Sequence, residues 1–297
     1  MIGNTLLVIN PVSGKGEARF ELLPIVTRLS EAGCEVTVFP TRADTDNAEE
    51  IASRLRASHS YDMVVAVGGD GTLNLTVEGV LRSAKKVPIG YIPLGTTNDF
   101  ASSLGIPSDT DDAIAHVLAG EPVPHDIGLF GDRHFTYIAC CGAFTESSYS
   151  TNQTLKSIFG HAAYVFGALP SLASIRPIEM TVKTDCETIT GKYLFCALSN
   201  TTTAGGFVKL DGQGVDFSDG LFELILIGYP QDLIDAGRVA KKLATANMND
   251  PLIVIRHITA CEITLGAPLG WSLDGEDGGK MGTVHLSVQK SAIEILK

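Results

Sequence analysis

Val64–Thr76, VVAVGGDGTLNLT, is the stretch whose reading decides the fold. A short apolar run, Met63–Val67, ends in Gly68-Gly69-Asp70-Gly71-Thr72, and from Leu73 the apolar residues Val77, Val80 and Leu81 recur at helical spacing. That pattern is a buried strand, a glycine turn and a helix. Glycines let a backbone turn tightly and approach a ligand without a Cβ in the way. The helix start adds free N–H groups and a positive dipole end, which suit a phosphate. Asp70 is the one carboxylate in the turn. Facing a polyphosphate it would be repelled unless a cation lay between them, so it reads as a Mg²⁺-linked residue. Without a ligand the same stretch is a tight turn capped by an aspartate.

Outward from this stretch the rhythm repeats. Leu6–Ile9 is a buried strand running into Asn10-Pro11-Val12-Ser13-Gly14-Lys15-Gly16, followed by a helix with Leu22, Ile25, Val26 and Leu29 on one face and Gly33 at its end. Glu35–Phe39 is a second strand, and the next helix buries Ala48, Ile51, Ala52 and Leu55. After the helix at 73–82 comes a fourth strand, Val87–Ile92, leading into Pro93-Leu94-Gly95-Thr96-Thr97-Asn98-Asp99-Phe100-Ala101. Four β–α units in succession predict a Rossmann-like, three-layer α/β domain with a parallel sheet, its ligand at the carboxyl ends of the strands. The loops 10–16, 68–72 and 93–99 all follow strands and are expected to converge on one edge.

Beyond Asp126 the pattern changes. His134–Cys140, Ile178–Thr184, Lys192–Leu198, Phe222–Ile227, Ile253–His257, Cys261–Leu265 and Val284–Val288 read as strands, with helices only around 154–174 and 231–244. Strand runs with Gly-rich turns predict a largely antiparallel β-sandwich, with the boundary near 126.

The 297 residues suffice for two cores, and 44% hydrophobic with 19% charged residues is ordinary for a globular enzyme. No apolar run approaches eighteen residues, so no spanning helix is expected, and the opening MIGNTLLVINPVSGKG lacks the basic start of a signal peptide. The cysteines at 34, 140, 141, 186, 196 and 261 form no C-x-x-C pair, which points to reduced thiols in a cytoplasm. A net charge of −12 argues against a nucleic-acid surface and supplies no overall attraction to an anionic membrane.

Several residues could carry chemistry. Asn10, Ser13, Gly14, Lys15 and Gly16 resemble a phosphate loop in composition, but the spacing excludes a P-loop NTPase. Thr96 and Asn98 can hydrogen-bond a nucleotide. Asp99 could hold Mg²⁺ or orient an alcohol; taken alone it reads better as an N-cap for the helix at Phe100. Asp216-Phe217-Ser218-Asp219-Gly220-Leu221 sets two carboxylates around a turn that suits a hard cation or simply joins two strands. In Trp271-Ser272-Leu273-Asp274-Gly275-Glu276 a hairpin turn is the plain reading, and Glu276 as general base to an attacking hydroxyl is the functional one. One carboxylate base opposite a Mg²⁺-held ATP γ-phosphate is what phosphoryl transfer to an alcohol needs. Neither a metal-spaced histidine pair nor a G-x-S-x-G elbow is present, so hydrolases have little support.

Asn10-Pro11-x-Ser13-Gly14-Lys15-Gly16, Gly68-Gly69-Asp70-Gly71-Thr72-x-Asn74, Pro93-Leu94-Gly95-Thr96-x-Asn98-Asp99-Phe100-Ala101, Ser218-Asp219-Gly220-Leu221 and Asp274-Gly275-Glu276 together resemble the diacylglycerol kinase catalytic-domain family. That family includes soluble bacterial lipid kinases and sphingosine kinases, with NAD kinases as more distant relatives. The resemblance runs in order over nearly the whole chain. GGDGT is shared with NAD kinases, whereas PLGT-x-NDFA with a late DGE is more specific to the lipid branch.

The resemblance implies an ATP-binding domain over 1–126, with 290–297 returning to it, a lipid domain over 127–289, and a site in the cleft between them. ATP contacts would come from the 10–16 loop with Lys15, from Thr41, from Gly68, Gly69, Asp70, Gly71, Thr72 and Asn74, and from Thr96. Asp70, Asp99 and Asp126 would belong to a Mg²⁺–water network, and Glu276 would accept the proton. A second, structural Mg²⁺ is expected at Asp216, Asp219 and the carbonyl of Leu221. The chain departs from the family at Ser218-Asp219, where two adjacent acids are common, and at Ser102, where a basic residue is frequent. Phe144, Phe159, Tyr164, Phe166 and Leu169 could line an acyl channel or pack a core, and Lys156 with Arg176 could form a local basic patch. The implied partners are ATP and a lipid alcohol; transient membrane-surface contact and a homodimer stay open. Two rivals stand beside the lipid kinase: an NAD kinase-like enzyme with a soluble acceptor, and a non-catalytic lipid-binding protein of the same fold.

Overall fold

The computed structural model describes residues 3–16, 18–57, 61–96, 98–143, 176–204, 208–209 and 215–297. The expected helix at 154–174, the aromatic channel residues and Lys156 lie outside the described residues. The fold is mixed α/β with much sheet, and the chain divides into two compact units: Met1–His125 with Ser291–Lys297, and Asp126–Lys290.

The first unit alternates strand and helix: β1 (Asn4–Ile9), α1 (Ser13–Gly16), α2 (Ala18–Glu31), β2 (Glu35–Pro40), α3 (Asn47–Arg56), β3 (Met63–Gly68), α4 (Asp70–Ser83), β4 (Ile89–Pro93), α5 (Asp99–Leu104) and α6 (Thr110–Ala119). β1 and β3 are buried almost without a break, as strands covered on both faces must be. They pair in parallel in the order β2–β1–β3–β4, and Ile295 near the chain's end lies parallel beside Ile89 of β4. Helical spacing places Ala48, Ile51, Ala52 and Leu55 on the buried face of α3, whose start is capped by the Asp46 carboxylate. Gly79 of α4 lies where a Cβ would collide with Ile51, so the two helices need a hydrogen at that position.

The second unit is antiparallel. It comprises β5 (Pro122–Phe130, entering from the first unit), β6 (Arg133–Phe135), β7 (Ile138–Gly142), β8 (Ile178–Thr184), β9 (Thr188–Ser199), the short pair β10 (Thr203–Ala204) and β11 (Val208–Lys209), β12 (Phe222–Gly228), α7 (Leu233–Ala244), β13 (Ile253–Ile258), β14 (Ala260–Leu273) and β15 (Glu276–Leu296). The expected sandwich is replaced by a ladder that closes on itself. β9 pairs with β8 through residues 188–193 and with β7 through 195–199, while β14 pairs with β8 through 261–265 and with β7 through 271–273. Two long strands, each shared between the same two partners, turn the sheet into a small closed barrel. The hydrophobic core of this unit packs Phe135 edge-on to Phe222 at 5.7 Å and Phe130 against Trp271 at 5.1 Å.

Candidate functional site

In the first unit the strand ends are tied together by backbone bonds. Asn10 donates its N–H to the Val67 carbonyl at 3.1 Å, Thr41 to Ile9 at 2.8 Å and Leu94 to Gly68 at 2.7 Å. The loops 10–16, 68–72 and 93–99 therefore meet along the carboxyl edge of the parallel sheet. Their approach is close: a Cβ on Gly95 would lie 2.5 Å from the Gly69 Cα, and one on Gly68 would lie 3.0 Å from the Ser13 Oγ. Beside them a pocket of about 400 Å³ is lined by Gly14, Gly95, Thr96, Asn98, Ala101 and Ile106, among others.

Asp70 opens α4, and its carboxylate reaches into another helix. Oδ2 accepts the Asp99 N–H at 3.1 Å and Oδ1 the Phe100 N–H at 3.3 Å. Asp99 is thus not the cap of α5 but its first residue, and Asp70 satisfies two of the N–H groups that a helix start leaves orphaned. Burial raises the pKa of Asp70 against these lowering bonds, and raises Asp99 as well, with the charge of Asp70 adding to the effect. Tyr91, fully buried beneath, is pushed above the ordinary phenol range by burial and then by Asp70.

Asn98 adopts a left-handed φ of 51° and turns its amide on its own loop. Its Oδ1 accepts from the Gly95 N–H at 3.0 Å, and its Nδ2 donates to the Gly95 carbonyl at 3.0 Å. Its amide braces the loop, and Thr96 is an exposed hydroxyl there. Asn10 is similarly committed, accepting the Val12 N–H at 3.1 Å, and Ser13–Gly16 forms one helical turn. In the first turns of α4, Thr72 Oγ1 and Asn74 Oδ1 are buried with no hydrogen-bond partner among the described residues.

In the second unit Asp126 is fully buried. Its N–H donates to the Phe217 carbonyl at 2.7 Å, and its Oδ2 accepts the Gly220 N–H at 2.6 Å. Asn200 Nδ2 lies 3.4 Å from the carbonyls of both Asp126 and Phe217. The structure therefore joins Asp126 to the Asp216–Leu221 turn. There Asp216 Oδ1 accepts from the Ser218 N–H and hydroxyl at 2.9 and 3.0 Å, and Asp219 Oδ1 accepts the Leu221 N–H at 2.8 Å. Among the described residues no group of three or more His, Cys, Asp or Glu is arranged to hold a metal.

Asp274 and Gly275, at φ 51° and 87°, make the two-residue turn between β14 and β15, with Leu273 paired to Glu276. Positive φ at both turn residues matches the twist of the flanking strands. Asp274 points inward and is buried. Its carboxylate accepts the N–H groups of Thr136, Tyr137 and Ile138 at 2.5, 2.9 and 2.9 Å. These bonds interrupt the strand expected over His134–Cys140, dividing it into β6 and β7. Glu276 is exposed on the far side of the turn. Asp274 is the residue that spacing alone could not assign: Asp-Gly signals the turn, and nothing local shows what the carboxylate holds.

The family model described as the diacylglycerol kinase catalytic domain matches residues 4–130. Two Staphylococcus aureus proteins named diacylglycerol kinase, from strains MRSA252 and Newman, are each 31% identical to this chain over 286 residues, covering 96% of the chain and 89% of each relative. A solved Bacillus anthracis Sterne structure described as a diacylglycerol kinase superposes with a TM-score of 0.74 at 16% identity, covering 99% of this chain and 96% of its own. A second chain from the same strain, carrying that name as a candidate assignment, reaches 0.81 at 18% identity, covering 99% and 94%. At these identities the two structures show the fold alone.

Proposed function

The chain belongs to the diacylglycerol kinase family, and from that premise we propose a Mg²⁺-dependent transfer of the ATP γ-phosphate to a hydroxyl of diacylglycerol or a related lipid. It is a lipid kinase by family, and ATP is the substrate a kinase implies. The observation that carries the finer proposal is the meeting of Asp70 and Asp99 at the carboxyl edge of the sheet, beside glycine turns that approach too closely for a Cβ.

The residues fit a divalent cation. Two half-buried carboxylates with raised pKa values, one pushed up by the other, form a site whose repulsion a dication relieves. Mg²⁺ bound there would neutralise phosphate charge. Asp70 holds the start of α5 and keeps one charge at the metal position. Asp99 supplies the second. The Gly68–Thr72 turn and the first turn of α4 present N–H groups to the phosphates, with Ser13, Gly14 and Lys15 on the neighbouring loop and Thr96 on the third. Glu276 accepts the acceptor hydroxyl's proton, and Asp274 fixes the turn that carries it. The cleft between the units as the place where the two substrates meet is part of this proposal, as are Asp126 in the Mg²⁺ network and a structural cation at Asp216, Asp219 and Leu221.

The test is incubation with labelled ATP and a dispersed lipid extract, read by mass spectrometry. Phosphate on a lipid alcohol, lost on chelation and restored by Mg²⁺, is the expected result. Phosphate on NAD with none on lipid would overturn it.

A further inference from the structure

Helix α7 packs through Ala236, Val239 and Leu243, which recur at helical spacing. Directly opposite that buried stripe lie Ile234 and Lys241, seven residues apart and so nearly in line. Leu233 is 64% exposed and Ile234 80%, two adjacent large apolar side chains held in water at the helix's first turn. The acids around them are committed. Asp232 accepts the N–H groups of Ile234 and Asp235, while Asp235 and Asp250 both pair with Arg238, at 2.9 and 2.7 Å. Lys241 and Lys242 close the helix with no carboxylate partner among the described residues. The outward face therefore runs from Ile234 to the free charge of Lys241, flanked by Leu233 on one side and, half a turn round the helix from it, Lys242 on the other, in a chain whose net charge is −12. Among the described residues no helix is long and apolar enough to cross a membrane, and the hydroxyl of a lipid acceptor lies at the headgroup boundary, where a kinase of the proposed kind would meet it.

We propose that the outward face of α7 is a docking surface for an anionic phospholipid bilayer, with Leu233 and Ile234 entering the headgroup–acyl boundary and Lys241 and Lys242 resting against lipid phosphates. This rests on the lipid-kinase reading for its occupant. Two apolar residues and two lysines give weak, reversible attachment, suited to an enzyme that leaves a phosphorylated lipid behind in the bilayer and moves on.

The test is sedimentation of the purified full chain with vesicles of phosphatidylcholine, with and without phosphatidylglycerol. Leu233→Ser with Ile234→Ser should lower partitioning onto mixed vesicles about tenfold or more. Lys241→Glu with Lys242→Glu should weaken binding only where phosphatidylglycerol is present, and added salt should erase that difference. Activity on a short-chain diacylglycerol dispersed in detergent should be unchanged in both. Wild-type binding by the folded Leu233/Ile234 variant overturns the proposal. So does a variant that turns a wild-type dimer into a monomer while still sedimenting with vesicles, because the face would then join two copies. If no dispersed lipid is phosphorylated by any form yet the binding loss persists, the surface stands and the kinase reading falls.

Discussion

Asp70 Oδ2 accepts the backbone N–H of Asp99 at 3.1 Å, so the residue expected to serve a cation also caps the helix that carries its acidic neighbour. The two roles separate by substitution. Asp70→Asn keeps one acceptor oxygen and loses the charge; Asp70→Ala loses both. Removing a cap of this kind costs about 1 kcal/mol. In urea melts, Asp70→Ala should fall by roughly that amount and Asp70→Asn by clearly less. Both should lose phosphoryl transfer by about 10²-fold or more. An active Asp70→Asn would confine Asp70 to the capping role.

Asp274 should matter to stability far more than its place in a surface turn suggests. Its carboxylate satisfies three consecutive N–H groups of the 136–138 bend, all buried. Asp274→Ala strands these donors at a cost of roughly 3 kcal/mol, read as a lower urea midpoint. Asp274→Asn, which tolerates the left-handed φ and keeps an acceptor, should lose less. Equal losses would mean that charge, not hydrogen bonding, holds the bend.

Glu276 next to it should show the opposite profile. It is exposed at the start of β15 with no side-chain bond among the described residues, so Glu276→Gln should leave stability within about 0.5 kcal/mol. If it is the proton acceptor, turnover on a dispersed lipid should fall about 10²–10⁴-fold. Unchanged turnover would remove it from that role while leaving the family assignment intact.

The first unit was legible because its elements are local and periodic. Ala48, Ile51, Ala52 and Leu55 are four of the five buried residues of α3, and the apolar run Met63–Val67 is β3 short of one glycine. In β14 the alternation breaks at Gly266-Ala267-Pro268, where the register with β15 shifts between Thr264 and Leu269, so only Cys261–Leu265 stood out. Missing the far half of β14 hid its second pairing, with β7, and with it the closure of the barrel. The site divides the same way. Asn98 bonding Gly95 is a loop-local contact, whereas Asp70 reaching Asp99 and Asp274 reaching Thr136 span 29 and 138 residues and leave no trace in spacing.

His125 supplies a pH signature independent of catalysis. It is 2% exposed, edge-on to Phe100 at 5.2 Å, and burial, with the Lys297 charge adding, lowers its pKa to about 3. The folded chain holds this imidazole neutral, while the unfolded chain protonates it near 6.5, so the unfolded state binds more protons between those values. The His125 contribution to stability is complete above about 6.5 and is lost progressively as pH falls toward 3. Between pH 7.5 and 5 that loss amounts to roughly 2 kcal/mol at 1.36 kcal/mol per pH unit. His125→Leu, of similar volume and without a proton to gain, should lack it. Urea midpoints at the two pH values should converge or cross, with wild type falling further than the variant. Parallel falls would mean that the imidazole is already protonated in the fold.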